Sequence, residues 1–170
     1  MRQVVLVALV ATSSACGGAS PNLPPPVPVS AEIRSLSWSA MTPVRVDEAS
    51  LATPDAGSDG HLTHVVVSER HLLDELGHLW SRPTALTAGN SGDFDMRLVV
   101  LMRYSDGTTH RLGLDRACSA LFFDGRAHLL DAALLHQLIG KLPQAEQALI
   151  REWGSPACAS LVDGSARDAK

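Results

Sequence analysis

The 170-residue sequence lacks several features that would each assign it to a class of protein. It has only two lysines, Lys141 and Lys170, and a net charge of -4, so the clustered positive charge typical of nucleic-acid binding is missing. Its longest apolar run, residues 4–11, is far shorter than the ~20 residues of a membrane-spanning helix. Aromatic residues make up 4% of the chain, which predicts a core built mainly from Leu, Val and Ala.

Motifs of the common enzyme classes are also missing. The sequence contains no Gly-x-Ser-x-Gly nucleophile elbow, no phosphate-binding Walker loop and no dinucleotide-binding glycine pattern. No segment calls for a cofactor, and we predict none. The motif content therefore favours a non-catalytic protein.

The N-terminus has the order of a secretory signal, in which a short basic start precedes an apolar run and then small residues. Ser14, Ala15 and Cys16 resemble the last three positions of the lipobox of bacterial lipoproteins, while Ser13 stands where leucine is most common. The resemblance implies cleavage before Cys16 and acylation of this cysteine, including palmitate, which would anchor the chain to a membrane. Gly17 in place of aspartate implies the outer membrane, with the protein facing the periplasm. Ordinary signal cleavage after Ala15, which releases an unanchored protein, is the alternative.

A proline-rich segment follows, with five prolines between positions 21 and 28. Each proline lacks a backbone donor, so the segment favours polyproline II at ~3.1 Å per residue and a reach of roughly 40 Å for residues 17–30. We therefore predict a signal peptide over 1–15, a lipidated cysteine with a spacer over 16–30, a single domain over 31–162 and a polar tail over 163–170.

The cysteine count supports the same reading. Three cysteines are an odd number for an exported protein, and lipid on Cys16 leaves Cys118 and Cys158 as a pair. We expect these two to form a disulfide in an oxidising compartment, with two free thiols as the alternative.

Hydrophobic periodicity predicts an α+β fold, an antiparallel meander sheet with helices packed on one face. Strand patterns occur over 33–46 and 94–104, and hairpin turns are predicted at Asp106-Gly107 and at Asp124-Gly125. A two-residue turn at Asp106 would pair Leu101 with Leu112, and Val99 with Leu114. Residues 47–61 are predicted to be a loop.

Helix signals lie before and after these hairpins. Ser68 and Asp131 are expected N-caps, and Pro143 is expected to start a further helix. On that last helix, we predict that Ala145, Leu149 and Trp153 point inward.

One polar cluster is a candidate metal site. His71, Glu75 and His78 fall on one side of the first predicted helix, opposite its leucines. A solvated face with pairing of His71 and Glu75 explains them, but a transition metal held with help from His61 or His64 is also compatible.

The sequence thus predicts a lipid-anchored envelope protein with a binding or assembly role, whose partners are the membrane and an envelope protein. The sheet edge and the loops over 47–61 and 84–93 are the expected contact surfaces. Two alternatives stay open: an envelope hydrolase or metal-dependent enzyme, and an inhibitor of an enzyme that attacks the envelope.

Overall fold

The computed structural model describes residues 26–41, 45–53, 61–78 and 94–165. Within these ranges the chain forms six strands and five helices, which confirms the predicted α+β class. All strand pairs are antiparallel, and the sheet order is β2-β1-β3-β4-β5-β6. In chain order the elements are β1 (Pro28–Leu36), α1 (Glu48–Ala52), β2 (Leu62–Val67), α2 (Arg70–Gly77), β3 (Met96–Tyr104), β4 (Thr109–Asp115), β5 (Leu121–Phe123), β6 (Arg126–His128), α3 (Ala132–Gly140), α4 (Gln144–Trp153) and α5 (Pro156–Val162).

The sheet carries a main core on one face and a smaller cluster on the other. The main core joins alternate residues of the strands to the apolar sides of α2, α3, α4 and α5. The smaller cluster contains Leu51 of α1 with Met96, Val99 and Phe122. A register shift between Met96 and Leu98 places Met96 and Met102 on opposite faces, although both are fully buried. In the described part of the chain, no helix combines the length and apolar character needed to cross a membrane.

The β3–β4 hairpin has a different register from the predicted one. The Tyr104 N–H donates to the Thr108 carbonyl at 2.9 Å, and Gly107 takes the left-handed conformation with φ 85. The loop therefore has three residues, and a one-residue change of register exchanges the two faces of a strand. Leu112 opposes Val100 rather than Leu101, and the predicted pairing of Val99 with Leu114 is likewise wrong.

The second hairpin has the predicted turn. Asp124 and Gly125 both have positive φ, 47 and 78, between β5 and β6. Two successive left-handed residues are the geometry of the two-residue turn that Asp-Gly favours.

Helix boundaries agree with the capping signals at some ends and differ at others. Asp131 caps α3 by accepting from the Leu134 N–H, and α4 follows Pro143, both as predicted. The N-cap of α2 is Glu69 rather than Ser68, and its side chain makes no capping bond. The loop predicted over 47–61 contains the short helix α1, which Asp47 caps through the Ser50 N–H.

The buried side of α4 also differs from the prediction. Its buried residues are Glu146 and Ile150, while Trp153 is 53% exposed and Ala145 is exposed. Glu146 and Ile150 are four residues apart and share a face. Trp153, three residues after Ile150, is directed to nearly the same side, but it is the last residue of α4 and stays exposed. The helix thus buries a carboxylate and leaves its aromatic residue about half exposed.

A disulfide joins α5 to the turn that follows β4. Cys118 and Cys158 have their Cα atoms 5.2 Å apart and are 40 residues apart in sequence, as the cysteine count predicts. The Ser155 hydroxyl donates to the carbonyl of Ala117 and also caps α5 through the Cys158 N–H. The helical C-terminal part is thus held to the sheet covalently and through hydrogen bonds.

Candidate functional site

The described residues form a groove at one end of the sheet, with a volume of about 790 Å³. Three parts of the chain form it: the segment entering β1, the C-terminal part of α2 and the β3–β4 hairpin. Its lining residues are Pro26, Val27, Pro28, Asp74, Gly77, His78, Tyr104, Asp106, Thr108 and His110. We call this feature the hairpin groove.

Backbone contacts position the walls of the hairpin groove. The Ser105 N–H donates to the Val27 carbonyl at 2.9 Å, and the Val27 N–H donates to the Ser105 hydroxyl at 3.3 Å. The end of α2 lies close to β1, because a Cβ placed on Gly77 would be 3.0 Å from Cδ of Pro28. Glycine therefore allows the helix and the first strand to approach closely.

The turn of the hairpin provides one carboxylate to the groove. The Thr108 N–H and hydroxyl both donate to Oδ1 of Asp106, at 2.9 and 2.6 Å. These two hydrogen bonds from Thr108 lower the pKa of Asp106, because they stabilise its charged form. Asp106 is exposed, so its negative charge faces solvent at the groove rim.

An imidazole held by a second carboxylate forms another part of the lining. Nδ1 of His110 lies 2.6 Å from Oδ2 of Asp124, whose Oδ1 accepts from the Arg111 N–H. The His110 ring meets Tyr104 edge-on at 5.0 Å between centroids and stacks on Phe123 at 5.9 Å. These contacts define the orientation of the ring.

A second imidazole lies behind this cluster. His128 packs edge-on against Phe123, with 5.7 Å between ring centroids. Burial lowers the pKa of His128, since the charged form loses hydration there.

The composition of the groove is that of a binding site. Most of its wall is apolar, with a few polar groups converging on the space, which is the usual composition of a ligand site. The only hydroxyls among the described lining residues belong to Thr108 and Tyr104, and that of Thr108 already donates to Asp106. The described lining includes no cysteine or serine to serve as a nucleophile.

The structure does not bring the candidate metal ligands close to one another. His71 and His78 are both exposed on α2, and Glu75 instead accepts a hydrogen bond at 2.9 Å from Nε2 of Gln137. His64 lies 3.1 Å from Glu32 on the neighbouring strand. Throughout the described ranges, no three His, Cys, Asp or Glu side chains are close enough together to hold a metal ion. His78, one of the predicted metal ligands, lies instead on the wall of the hairpin groove.

The other predicted functional positions fall partly beyond the structure. Cys16, the signal peptide and the loop over 84–93 lie outside the described residues. Strand β1 begins at Pro28, so its first three residues lie within the range assigned to the spacer.

Several groove residues were not singled out by the sequence, among them Tyr104 and His110. The one local signal was the turn sequence around Asp106, which marks the hairpin. The pairing of His110 with Asp124 spans 14 residues and depends on the register between β4 and β5. Comparisons with protein families, with curated protein sequences and with solved structures gave no match for this chain.

Proposed function

We propose that this protein is a non-catalytic binding accessory of the bacterial cell envelope, held on a membrane by lipid on Cys16. The anchor is supported by the order of basic start, apolar run, small residues and cysteine at the N-terminus. The binding role is supported by one observation, the largely apolar hairpin groove with its few convergent polar groups.

The position of the groove agrees with this role. Pro26 and Pro28, the last residues of the proline-rich segment, are part of its wall. A spacer running from Cys16 would therefore enter the domain beside the bound ligand. The groove would face the anchored side of the domain, where envelope components are concentrated.

Binding is tested with octyl glucoside, a neutral probe with a short apolar chain, titrated below its micelle concentration. The protein is the purified full chain with Cys16→Ser, so that neither lipid nor extraction detergent competes. We expect saturable chemical-shift changes in two-dimensional NMR spectra at Gly77, Tyr104 and His110. A complete lack of saturable binding would refute the role that we assign to the groove.

Two matched variants on α2 localise the probe. His78→Trp places a large side chain at the groove wall, and we expect it to weaken octyl glucoside binding by about tenfold. His71→Trp makes the same exchange at an exposed position of the same helix away from the described lining, and should bind as the parent does. Equal weakening by both variants would place the probe elsewhere.

The anchor has its own test. Intact mass of the membrane-extracted wild-type protein is expected to show loss of residues 1–15 and addition of acyl chains, and Cys16→Ser should abolish both changes. Two buried acyl chains, at ~0.8 kcal/mol per CH₂, account for stable membrane attachment, whereas a single chain binds only marginally. If the membrane-extracted wild-type protein has the mass of a chain without acyl groups, the lipid anchor is refuted.

A second candidate function is an envelope hydrolase, favoured by the orientation of His110 by Asp124. An acid–base role predicts that His110→Gln abolishes a hydrolytic activity that the wild type shows. If the His110→Gln protein keeps the wild-type fold by NMR and also keeps the full hydrolytic activity, this candidate is refuted.

A further inference from the structure

We propose that the hairpin groove selects ligands that combine an apolar body with a cationic group. This inference rests on the proposed binding function and adds the chemical class of the ligand. It depends on the juxtaposition of apolar walls with two carboxylates and a helix C-terminus in the described lining of the groove.

The apolar part of the ligand follows from the walls. Val27, Gly77 and the two prolines offer no charged groups to a ligand, and Tyr104, another lining residue, is almost wholly buried. Desolvating such a surface favours an apolar partner by ~25 cal/mol per Å² buried. A strongly hydrated ligand would lose its bound water on entering the groove and would not gain this hydrophobic free energy in return.

The cationic part follows first from the two carboxylates. Asp106 is exposed at the hairpin turn, and hydrogen bonds from Thr108 already stabilise its ionised form. Asp74 lines the opposite wall with its side chain 48% exposed, although Arg70 takes part of its charge through a 2.8 Å ion pair. Asp106 is therefore the stronger attraction for a ligand cation.

The end of α2 adds to this attraction. Gly77 and His78 lie at its C-terminal end, where the backbone carbonyls of a helix carry partial negative charge and favour cations. Among the described lining residues there is no lysine or arginine to oppose a positive ligand. The histidines on the described walls are His78 and His110, and the His110 ring is held by the carboxylate of Asp124.

Three probes that share one apolar chain test the selection. Octyltrimethylammonium, octyl glucoside and octyl sulfate are each titrated into the full chain with Cys16→Ser at pH 8 and low salt, below their micelle concentrations. We expect the cationic probe to bind about threefold more tightly than the neutral one, and the anionic probe about threefold more weakly, as suits exposed charges. Sodium chloride near 0.5 M should remove both differences by screening.

Variants assign the preference to named carboxylates. Asp106→Asn keeps an oxygen that can accept from Thr108 but removes the charge, so it should lower the ratio of cationic to neutral affinity. Asp163→Asn, an exposed carboxylate on α5's C-cap that pairs with Arg151, is the matched control and should leave this ratio unchanged.

The outcomes separate the inference from the function on which it rests. Equal binding of all three probes, or tightest binding of octyl sulfate, overturns the cationic selection while the binding function stands. A cationic preference that Asp106→Asn and Asp163→Asn reduce equally, or that high salt does not reduce, also overturns it. No saturable binding of any probe refutes the proposed function itself.

Discussion

Substituting Glu146 by glutamine should stabilise the protein at pH 8. Glu146 of α4 is 6% exposed, and the backbone of Trp38 interacts favourably with its charged form. Its oxygen Oε1 is buried and has no hydrogen-bond partner among the described residues. Burial therefore raises the pKa of Glu146, since the ionised form is poorly solvated there.

The sign of the pH dependence follows from this raised pKa. The folded state holds the proton more tightly than the unfolded state, so the contribution of Glu146 to stability is fully present below the unfolded value of 4.5. It is lost as the pH rises through the folded pKa. Glutamine does not titrate, so the stability difference between Glu146→Gln and wild type should grow from acid to pH 8.

The magnitude follows from the unsatisfied oxygen. A buried polar group without a partner costs ~1–3 kcal/mol, and glutamine keeps an acceptor for Trp38 while its amide introduces donors that also need partners. We therefore expect a net gain of about 1 kcal/mol in the free energy of unfolding at pH 8. Near pH 4 the gain should vanish.

Urea denaturation followed by circular dichroism, at several pH values between 4 and 8, measures this difference. Glu152→Gln, an exposed substitution on the same helix, is the control and should change stability by less than about 0.5 kcal/mol at each pH. A Glu146→Gln protein that is less stable than wild type at pH 8, or a difference that is independent of pH, would refute the reasoning.

Three further substitutions test how the fold is held together, each by the same denaturation measurement. Replacing Cys158 by serine opens a disulfide loop of 40 residues and should cost about 4 kcal/mol, with no such loss if both proteins are compared under reducing conditions. Asp131→Ala removes the cap on the Leu134 N–H and should cost about 1 kcal/mol; an unchanged stability would mean that this bond contributes nothing. Gly125→Ala forces a side chain into φ 78 in the second hairpin turn and should cost about 1–2 kcal/mol, whereas a stabilised protein would contradict the turn geometry.

Local features of the fold were predictable because they depend on neighbours in sequence. The turn at Asp124-Gly125 and the cap at Asp131 each reflect a short-range hydrogen bond or a backbone preference of the residue itself. The pairing of Cys118 with Cys158 followed from counting cysteines. Helix α1 escaped prediction because its five residues are too few to show a helical period.

Features that depend on distant parts of the chain were predicted less well. The register of the first hairpin was one residue off because the loop around Gly107 adopts a three-residue form. The predicted orientation of α4 was wrong. The apolar residues at 145, 149 and 153 have the spacing of a buried stripe, but packing buried Glu146 and Ile150 instead. The spacing of apolar residues therefore predicts where a helix lies more reliably than it predicts which side of the helix is buried.

The candidate site belongs almost wholly to this second group. Its residues come from three segments, and none of them carries a motif that marks a ligand site. His78 was noticed for its spacing from His71, yet its position is defined by the close approach of α2 to β1 at Gly77. Sequence reasoning therefore found a groove residue for an unrelated reason.

The amino-acid sequence by itself determined the α+β class, the places of the two hairpins, the cap at Asp131 and the turn at Asp124-Gly125, because each follows from periodicity or short-range backbone preference. Tertiary structure alone decided the hairpin register, the burial of Glu146 and the assembly of the hairpin groove. These three depend on which surfaces meet when the sheet closes, and that choice is set by the packing of the whole core rather than by any local segment.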